Sequence, residues 1–406
     1  MKVAVVGGGV IGLFAAHYCA RRGWDVTVIE RNGAERDGCS YQNTGMIVPS
    51  HFVPLAAPGM VRLALRWMLN PASPFYVKPR VSTELIFWGL HFWRAANMAR
   101  VRMAAPVLRD LAFASRQLYL DEKFPLEPRG LLCLCKTQHA LDEEAAMADL
   151  GRELGIAAEV LDAKQTAARE PEVRMDIAGS VHFPQDANLA PDLLMQSLQE
   201  RARAKFLWNT EVTGFKRNGK KIKALQTSRG DVEADNFLLC AGSWSPGLAK
   251  QLDLRLPMQP GKGYSVTIPK PRHSPRQCAI LSEARVAVSP INGTLRFGGT
   301  MELSGLNEDI NPVRVQGIVD AARRYYPDLA PEDFAGIKPW RGLRPCSPDG
   351  LPYLGKSSTV ENLVVATGHA MLGITLGPVT GKLSAELLAG ERPSLDLSLL
   401  SPERFH

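Results

Sequence analysis

Three groups of residues in this 406-residue chain have the types and spacing to do chemistry. The first is Gly7-Gly8-Gly9-Val10-Ile11-Gly12, a GxGxxG pattern, with Glu30 standing 18 positions after its last glycine. Residues 2–6 (KVAVV) read as a short buried strand, residues 11–22 as a helix ended by Gly23, and residues 25–29 (DVTVI) as a second strand. In that setting Gly7 permits a tight turn, Gly9 keeps a Cβ away from an approaching pyrophosphate, and Gly12 lets the helix lie close on the strand. Amides at the helix N-terminus, the positive dipole end, meet phosphate charge. Glu30 suits the hydroxyls of an adenosine ribose and repels a 2′-phosphate, which disfavours NADP. These residues specify a dinucleotide.

The second group is WRGLRPCSPDGLPYLG (residues 340–355), where Arg344 offers a planar guanidinium that matches a carboxylate bidentately and stays charged at any working pH. The third is NLVVATGHAMLGITLGPVTGKLSAELLAG (residues 362–390): a strand, a Gly368-His369 turn, and a helix with Gly373, Gly377 and Gly381 in its first half. Small residues there let a helix and its amides approach a flat ring. A helix N-terminus aimed at the pyrimidine edge of a flavin stabilises the negative charge that develops when hydride arrives.

The dinucleotide reads as FAD rather than NAD. A simple NAD fold would continue in regular βα units, whereas residues 38–50 (GCSYQNTGMIVPS) form a polar stretch offering Ser40, Asn43 and backbone amides to a longer ligand. Far downstream an apolar run, 235–242, ends in Ala241-Gly242 as if the chain returned to the cofactor sheet.

Around these groups the elements must form two bodies, because 406 residues exceed one compact core. The expected class is α/β, a discontinuous Rossmann-like FAD-binding domain at 1–80, 155–245 and 340–406. An α+β substrate domain on an antiparallel sheet takes 81–154 and 246–339. Residues 129–135 read as a strand, 139–153 as a helix, 181–191 as a loop, 192–204 as a helix, and 205–240 as a meander with turns at Asn218-Gly219 and Arg229-Gly230. Strands recur through 260–302, and a helix is expected at about 312–325. Residues 59–118 have helical spacing broken by Pro71, Pro74 and Pro79. Within them, 84–103 mixes Trp88 and Trp93 with Arg94, Arg100 and Arg102, a helix packed on a neighbouring domain or resting in a membrane interface.

Net charge +7 suits an anionic ligand or acidic membrane, but the basic residues form no run and nucleic acid is not expected. Seven scattered cysteines without a CxxC pair argue against a disulfide framework and against a metal site, and suit a reducing cytoplasm. The uncharged run Val3–Ala20 is spoiled as a signal peptide or span by four glycines, His17 and Arg21-Arg22. Oligomeric state leaves no mark in the sequence.

Taken together, GxGxxG…Glu30, Ser40-Tyr41-Gln42-Asn43-Thr44-Gly45, Ala57-Pro58-Gly59, Lys262-Gly263-Tyr264, GLRP…PDG and TGHAMLG resemble the D-amino acid oxidase and glycine oxidase superfamily of flavoproteins over essentially the whole length. Within it, the chain looks most like bacterial D-amino acid dehydrogenases. Glycine oxidases carry an Arg where this sequence has Met371. Sarcosine-type oxidases bond flavin to a cysteine near Gly342; Cys346 is out of register, so FAD is expected to be non-covalent. The resemblance implies that Arg344 grips the substrate carboxylate and that Lys262 and Tyr264 lie on a strand facing the flavin. It also puts Met46 and His51 beside the re-face pocket, His369 at a cofactor-contacting turn, and the Val212 backbone at the adenine. Expected cofactor contacts also include Gly7, Gly9, Val10, Ile11, Gly12, Glu30, Arg31, Ser40, Asn43, Gly45 and Met46. Further along they include Ala241, Gly242, Gly342, Arg344, Gly368, Met371, Leu372, Gly373, Ile374 and Thr375.

The implied reaction is oxidative deamination of a D-amino acid. Hydride passes from Cα to flavin N5, the imino acid hydrolyses, and electrons leave to a quinone or other carrier. No protein base is needed, since alignment and desolvation carry the step. Glycine, sarcosine or a hydroxy-D-proline remain alternative substrates. A flavoprotein that modifies tRNA or serves in a complex, and a non-catalytic dinucleotide-binding module, are the readings from other classes.

Overall fold

A computed structural model describes residues 1–67 and 73–405; Pro71 lies outside the described residues. Two sheets organise them. The first has six strands in the order Tyr353–Lys356, Leu363–Thr367, Asn236–Leu239, Lys2–Val6, Asp25–Ile29 and Lys205–Leu207. All neighbours are parallel except the Tyr353–Lys356 edge. Its central strands are short apolar runs buried on both faces, as a parallel sheet covered by helices requires.

The second sheet has nine strands, running Trp340–Cys346, Gln259–Ile268, Thr294–Leu303, Val286–Ile291, Cys278–Leu281, Leu131–Cys135, Gly179–Phe183 and Glu159–Asp162, with Phe75–Val77 paired to Thr294–Leu303. Its outer face packs on the helix Pro312–Tyr325 through Tyr264, Val266, Phe297 and Ile318. A separate three-stranded meander, Val212–Asn218, Lys221–Thr227 and Gly230–Glu233, turns at Asn218-Gly219 and at Gly230, both glycines having positive φ.

Sheet membership divides the chain elsewhere than at the expected boundaries. The strands at 159–162, 179–183 and 340–346 all belong to the nine-stranded sheet. Residues 181–191 are correspondingly not one loop: they complete Gly179–Phe183 and form Ala187–Asn188, paired with Met46–Ile47. Cys133 and Cys135 are buried inside this sheet because strands flank them on both sides. The stretch 84–103 is two helices, Thr83–Ala95 and Met98–Asp121, broken at Ala96-Asn97, where the Asn97 side chain caps the second. That second helix packs through Leu108, Leu111 and Ala112 into the core of the dinucleotide-type sheet, although its sequence range was expected in the other body.

One crossing ties the ends of the chain together. The first helix, Val10–Arg21, packs against the last, Gly373–Ala389, with Phe14 at the contact. A Cβ at Gly381 would sit 2.6 Å from the Phe14 carbonyl carbon, and one at Gly377 2.6 Å from its ring. Gly377 and Gly381 therefore serve this helix–helix approach and not the cofactor ring expected of them. An exposed helical Gly→Ala change gains about 1 kcal/mol of helix propensity. Here backbone overlap outweighs it, and Gly381→Ala should cost about 1–3 kcal/mol in urea unfolding of the cofactor-loaded protein. A stabilised variant would show that the two helices do not bear on each other at this point.

Candidate active site

A cavity of about 690 Å³ opens at the carboxyl ends of the parallel strands, floored by Val6, Ile29, Cys240 and Ala366. That lies inside the roughly 300–1,000 Å³ of small-molecule sites, at the edge where doubly wound sheets bind ligands.

At one end the glycine-rich turn behaves as its sequence requires. Gly7 has φ +105°, and a Cβ there would lie 2.6 Å from the Cys240 carbonyl oxygen. A Cβ at Gly12 would lie 2.0 Å from the Gly7 oxygen, so Gly12 seats the helix and does not itself line the cavity. Gly7, Gly9, Val10 and Ile11 do. The Glu30 carboxylate accepts from Gly8 N at 2.7 Å and from Asn32 N at 3.0 Å, which fixes its orientation on the cavity wall. Ser40 Oγ accepts from Val10 N at 3.0 Å and so caps the helix from across the mouth. Asn43 braces its own loop, accepting from Gly45 N at 2.8 Å. Arg31 stacks on Trp244, its Cζ 3.5 Å from the ring centroid, with Val212, Ala241 and Gly242 beside them.

The other end brings Gly342, Arg344, His369, Met371, Gly373 and Ile374 to the same cavity. The Arg344 Nη1 donates to the Thr300 carbonyl at 2.8 Å. His369 is 2 % exposed; its Nε2 meets Thr380 Oγ1 at 3.0 Å, while its Nδ1 has no partner among the described residues. Burial pushes its pKa down to about 3.

Several expected residues stand elsewhere. Lys262 and Tyr264 do not line the cavity, because strand alternation turns them to the face opposite Gly261 and Gly263. There the buried Lys262 Nζ donates to Asn307 Oδ1 and the Asp309 carbonyl, both at 2.7 Å, and Tyr264 OH donates to Glu302 Oε2 at 2.7 Å. Gly45, Met46 and Thr375 form a seam next to the cavity. A Cβ on Gly45 would strike the Leu189 oxygen, and Thr375 Oγ1 bridges Met46 O and Val48 N at 3.1 and 3.2 Å. Gly368 is pressed on Tyr353, and Leu372 packs into the core. His51 also lies off the cavity wall; Ser50 Oγ contacts its Nδ1 at 3.2 Å and donates to the fully buried Asp186. Burial and the Arg285 charge push the His51 pKa down to about 4, while burial raises the Asp186 pKa to about 7.

Sequence reasoning missed Arg36. This buried guanidinium donates to the Gly8 carbonyl at 2.8 Å and stacks on Trp208 at 4.4 Å, holding the turn from the cavity wall. It also missed Arg341, which pairs with Asp37 and, at 3.4 Å, with Glu308 across the cavity rim. Their sequence neighbours gave no signal: Arg36 stands between Glu35 and Asp37, and Arg341 between Trp340 and Gly342. Cys39 lines the cavity too, and burial raises its thiol pKa against the lowering influence of Arg344.

The family model for FAD dependent oxidoreductases matches residues 2–387. This chain belongs to that family. It is 33% identical to a D-amino acid dehydrogenase of Granulibacter bethesdensis over 425 aligned positions, covering 100% of both chains. It is 32% identical to that of Vibrio atlanticus, again covering 100% of both. Among solved structures it is similar to glycine oxidase from Geobacillus kaustophilus (TM-score 0.78, 23% identity, 99% of each chain). It is also similar to L-proline dehydrogenase from P. horikoshii (TM-score 0.73, 17% identity, 100% of this chain and 97% of that one). These two likenesses concern the fold.

The cavity of this FAD-dependent oxidoreductase fits its cofactor on its own terms: side-chain-free turns at Gly7 and Gly9, an oriented acid at Glu30, and an orphaned imidazole nitrogen at the far end. Both His369 and His51 are held below the ordinary histidine value near 6.5, so each is neutral from about pH 5 upward. The kcat/KM profile should therefore show no histidine limb between about pH 5.5 and 7.5. A limb near 6.5 that vanishes in His369→Asn would contradict this assignment.

Proposed function

We propose that the chain oxidises a D-amino acid at its Cα–N bond and passes the electrons to a quinone or other carrier. The observation that carries the reading is Arg344. Among the described residues its guanidinium makes one hydrogen bond, to Thr300 O, and no ion pair, which leaves donors for a carboxylate at the cavity wall. The full-length relatives named D-amino acid dehydrogenase support the substrate class.

In this reading Gly7, Gly9, Val10 and Ile11 receive the pyrophosphate, Glu30 the ribose, and Val212 with Ala241-Gly242 the adenosine side. His369, Gly373 and Ile374 border the ring. Bound FAD supplies a two-electron acceptor for the substrate hydride. Arg344 binds and orients the carboxylate, and the buried surroundings exclude water. Neutral His369 offers a nitrogen to the bound ring without adding charge. Among the described cavity residues no side chains pair as base and acid, so alignment carries the step. Arg344→Ala should raise KM by 100-fold or more, about 3 kcal/mol, with FAD retained in the visible spectrum. D-amino acids, and not their L-enantiomers, should bleach the flavin anaerobically. Bleaching by both alike, or an unchanged KM, would remove the reading.

The acceptor side is proposed to work at an anionic membrane surface. Between Asp37 and Asp110 the chain has eight Lys or Arg residues and one acid, Glu84; that excess of seven equals the net charge of the whole chain. Arg62, Arg66, Lys78, Arg94, Arg100 and Arg102 in this stretch are exposed. They are interleaved with exposed Leu65, Ile86, Leu90, Trp93 and Met103. No described helix is long and apolar enough to cross a membrane. The FAD-loaded protein should float with vesicles containing phosphatidylglycerol and not with phosphatidylcholine alone. The Arg94→Glu/Arg100→Glu/Arg102→Glu variant should stay behind while keeping its dye-linked activity. Equal flotation of the variant would refute a charge-guided contact.

A further inference from the structure

The strand that neighbours Arg344 is interrupted at one point. Gln259–Ile268 pairs with Thr294–Leu303 through Tyr264↔Gly299 and then through Lys262↔Glu302, so Thr300 and Met301 together oppose the single residue Gly263. This is a β-bulge, a device that re-aims backbone groups. Its bulged residue, Thr300, has φ +65°, a left-handed conformation that a β-branched side chain rarely adopts. The Thr300 hydroxyl is buried without a partner among the described residues. What the conformation achieves is the direction of the carbonyl, which accepts from Arg344 Nη1 at 2.8 Å. On the facing strand a Cβ at Gly263 would lie 2.1 Å from Arg344 Nη1, 2.3 Å from Nη2 and 2.4 Å from Cζ. The guanidinium thus lies flat across a notch whose base is Gly263 and whose far wall is the Thr300 carbonyl.

The back of the sheet locks the notch. Glu302, two residues past Thr300, accepts from Tyr264 OH at 2.7 Å and meets Lys262 Nζ at 3.2 Å and Arg314 Nε at 3.6 Å, all four side chains being buried. Lys262 and Tyr264 flank Gly263 on one strand, and Glu302 closes the bulge on the other. A buried ion pair in such a network holds register more reliably than it adds stability.

We propose that Gly263 and the Thr300 bulge, clamped from behind by Lys262, Tyr264 and Glu302, are positioning residues that lay the Arg344 guanidinium flat and present its remaining N–H edge to a substrate carboxylate. The proposal rests on the reading of Arg344 as the carboxylate-binding group. Gly263→Ala introduces a methyl where the guanidinium lies. It raises KM for the amino acid at least tenfold with kcat within threefold, raises Ki for a simple carboxylate inhibitor such as propionate in parallel, and leaves the flavin spectrum unchanged. Oxidation of an amine without a carboxylate, such as propylamine, is slow and unaltered. In an Arg344→Ala background Gly263→Ala has no further effect on KM, since its influence passes through the missing side chain.

Tyr264→Phe removes only the hydroxyl that holds Glu302 and raises KM about threefold, with an unchanged flavin spectrum; it decides the matter should Gly263→Ala not fold. Additive effects of Gly263→Ala and Arg344→Ala, or an unchanged KM in both Gly263→Ala and Tyr264→Phe while Arg344→Ala remains impaired, would overturn the proposal. An unimpaired Arg344→Ala would instead overturn the underlying reading of the carboxylate site.

Discussion

The contact on which the rest depends is the close approach of the glycine turn to its own sheet. Gly12 lies against the Gly7 carbonyl, and Gly7 against the Cys240 carbonyl, at distances that leave no room for a Cβ. The first fixes the angle of the helix Val10–Arg21 on its strand. The second brings the strand Asn236–Leu239 alongside, although more than 200 residues separate the two in sequence. From that helix everything else is hung: Ser40 caps its first turn, Phe14 receives the last helix, and Glu30 and Arg36 hold the turn between them.

The cavity exists because two sheets of different kinds meet at a shared strand neighbourhood. The parallel sheet contributes backbone ends and amides, which suit phosphates and sugars. The nine-stranded sheet contributes Trp340–Cys346, an edge strand whose Arg344 reaches back over Gly263. Trp88 joins this edge to the exposed basic helices, its indole N–H donating to the Cys346 carbonyl at 2.9 Å. The helix Thr83–Ala95, which carries part of the proposed membrane face, is therefore anchored two residues from Arg344 on that strand.

Charge inside the molecule follows function closely. The cluster of Lys262, Glu302, Arg314 and Tyr264 is costly to bury, and its members are paired almost completely. The histidines near the cavity are instead kept neutral by burial, so neither adds charge beside Arg344 at neutral pH, while burial raises the pKa of Asp186 behind Ser50 to about 7.

By itself, the sequence determined the dinucleotide half of this protein and its chemistry class. GxGxxG between strand and helix, Glu30 and the Gly368-His369 turn are local patterns, each with a local physical cause, and their neighbours in space are largely dictated by turn geometry. Tertiary structure decided what local pattern cannot carry. Which face of a strand looks at the cavity depends on register, and a single bulge at Thr300 sits where Lys262 and Tyr264 point away and Arg344 points in. The duty of Gly377 and Gly381 depended on which helix crossed them, and sheet membership of residues 159–183 and 340–346 on pairings between strands far apart in sequence. Arg36 and Arg341 were legible only as charged residues until folding supplied a carbonyl and two carboxylates to hold them, because a long side chain's role is set by where its far end arrives.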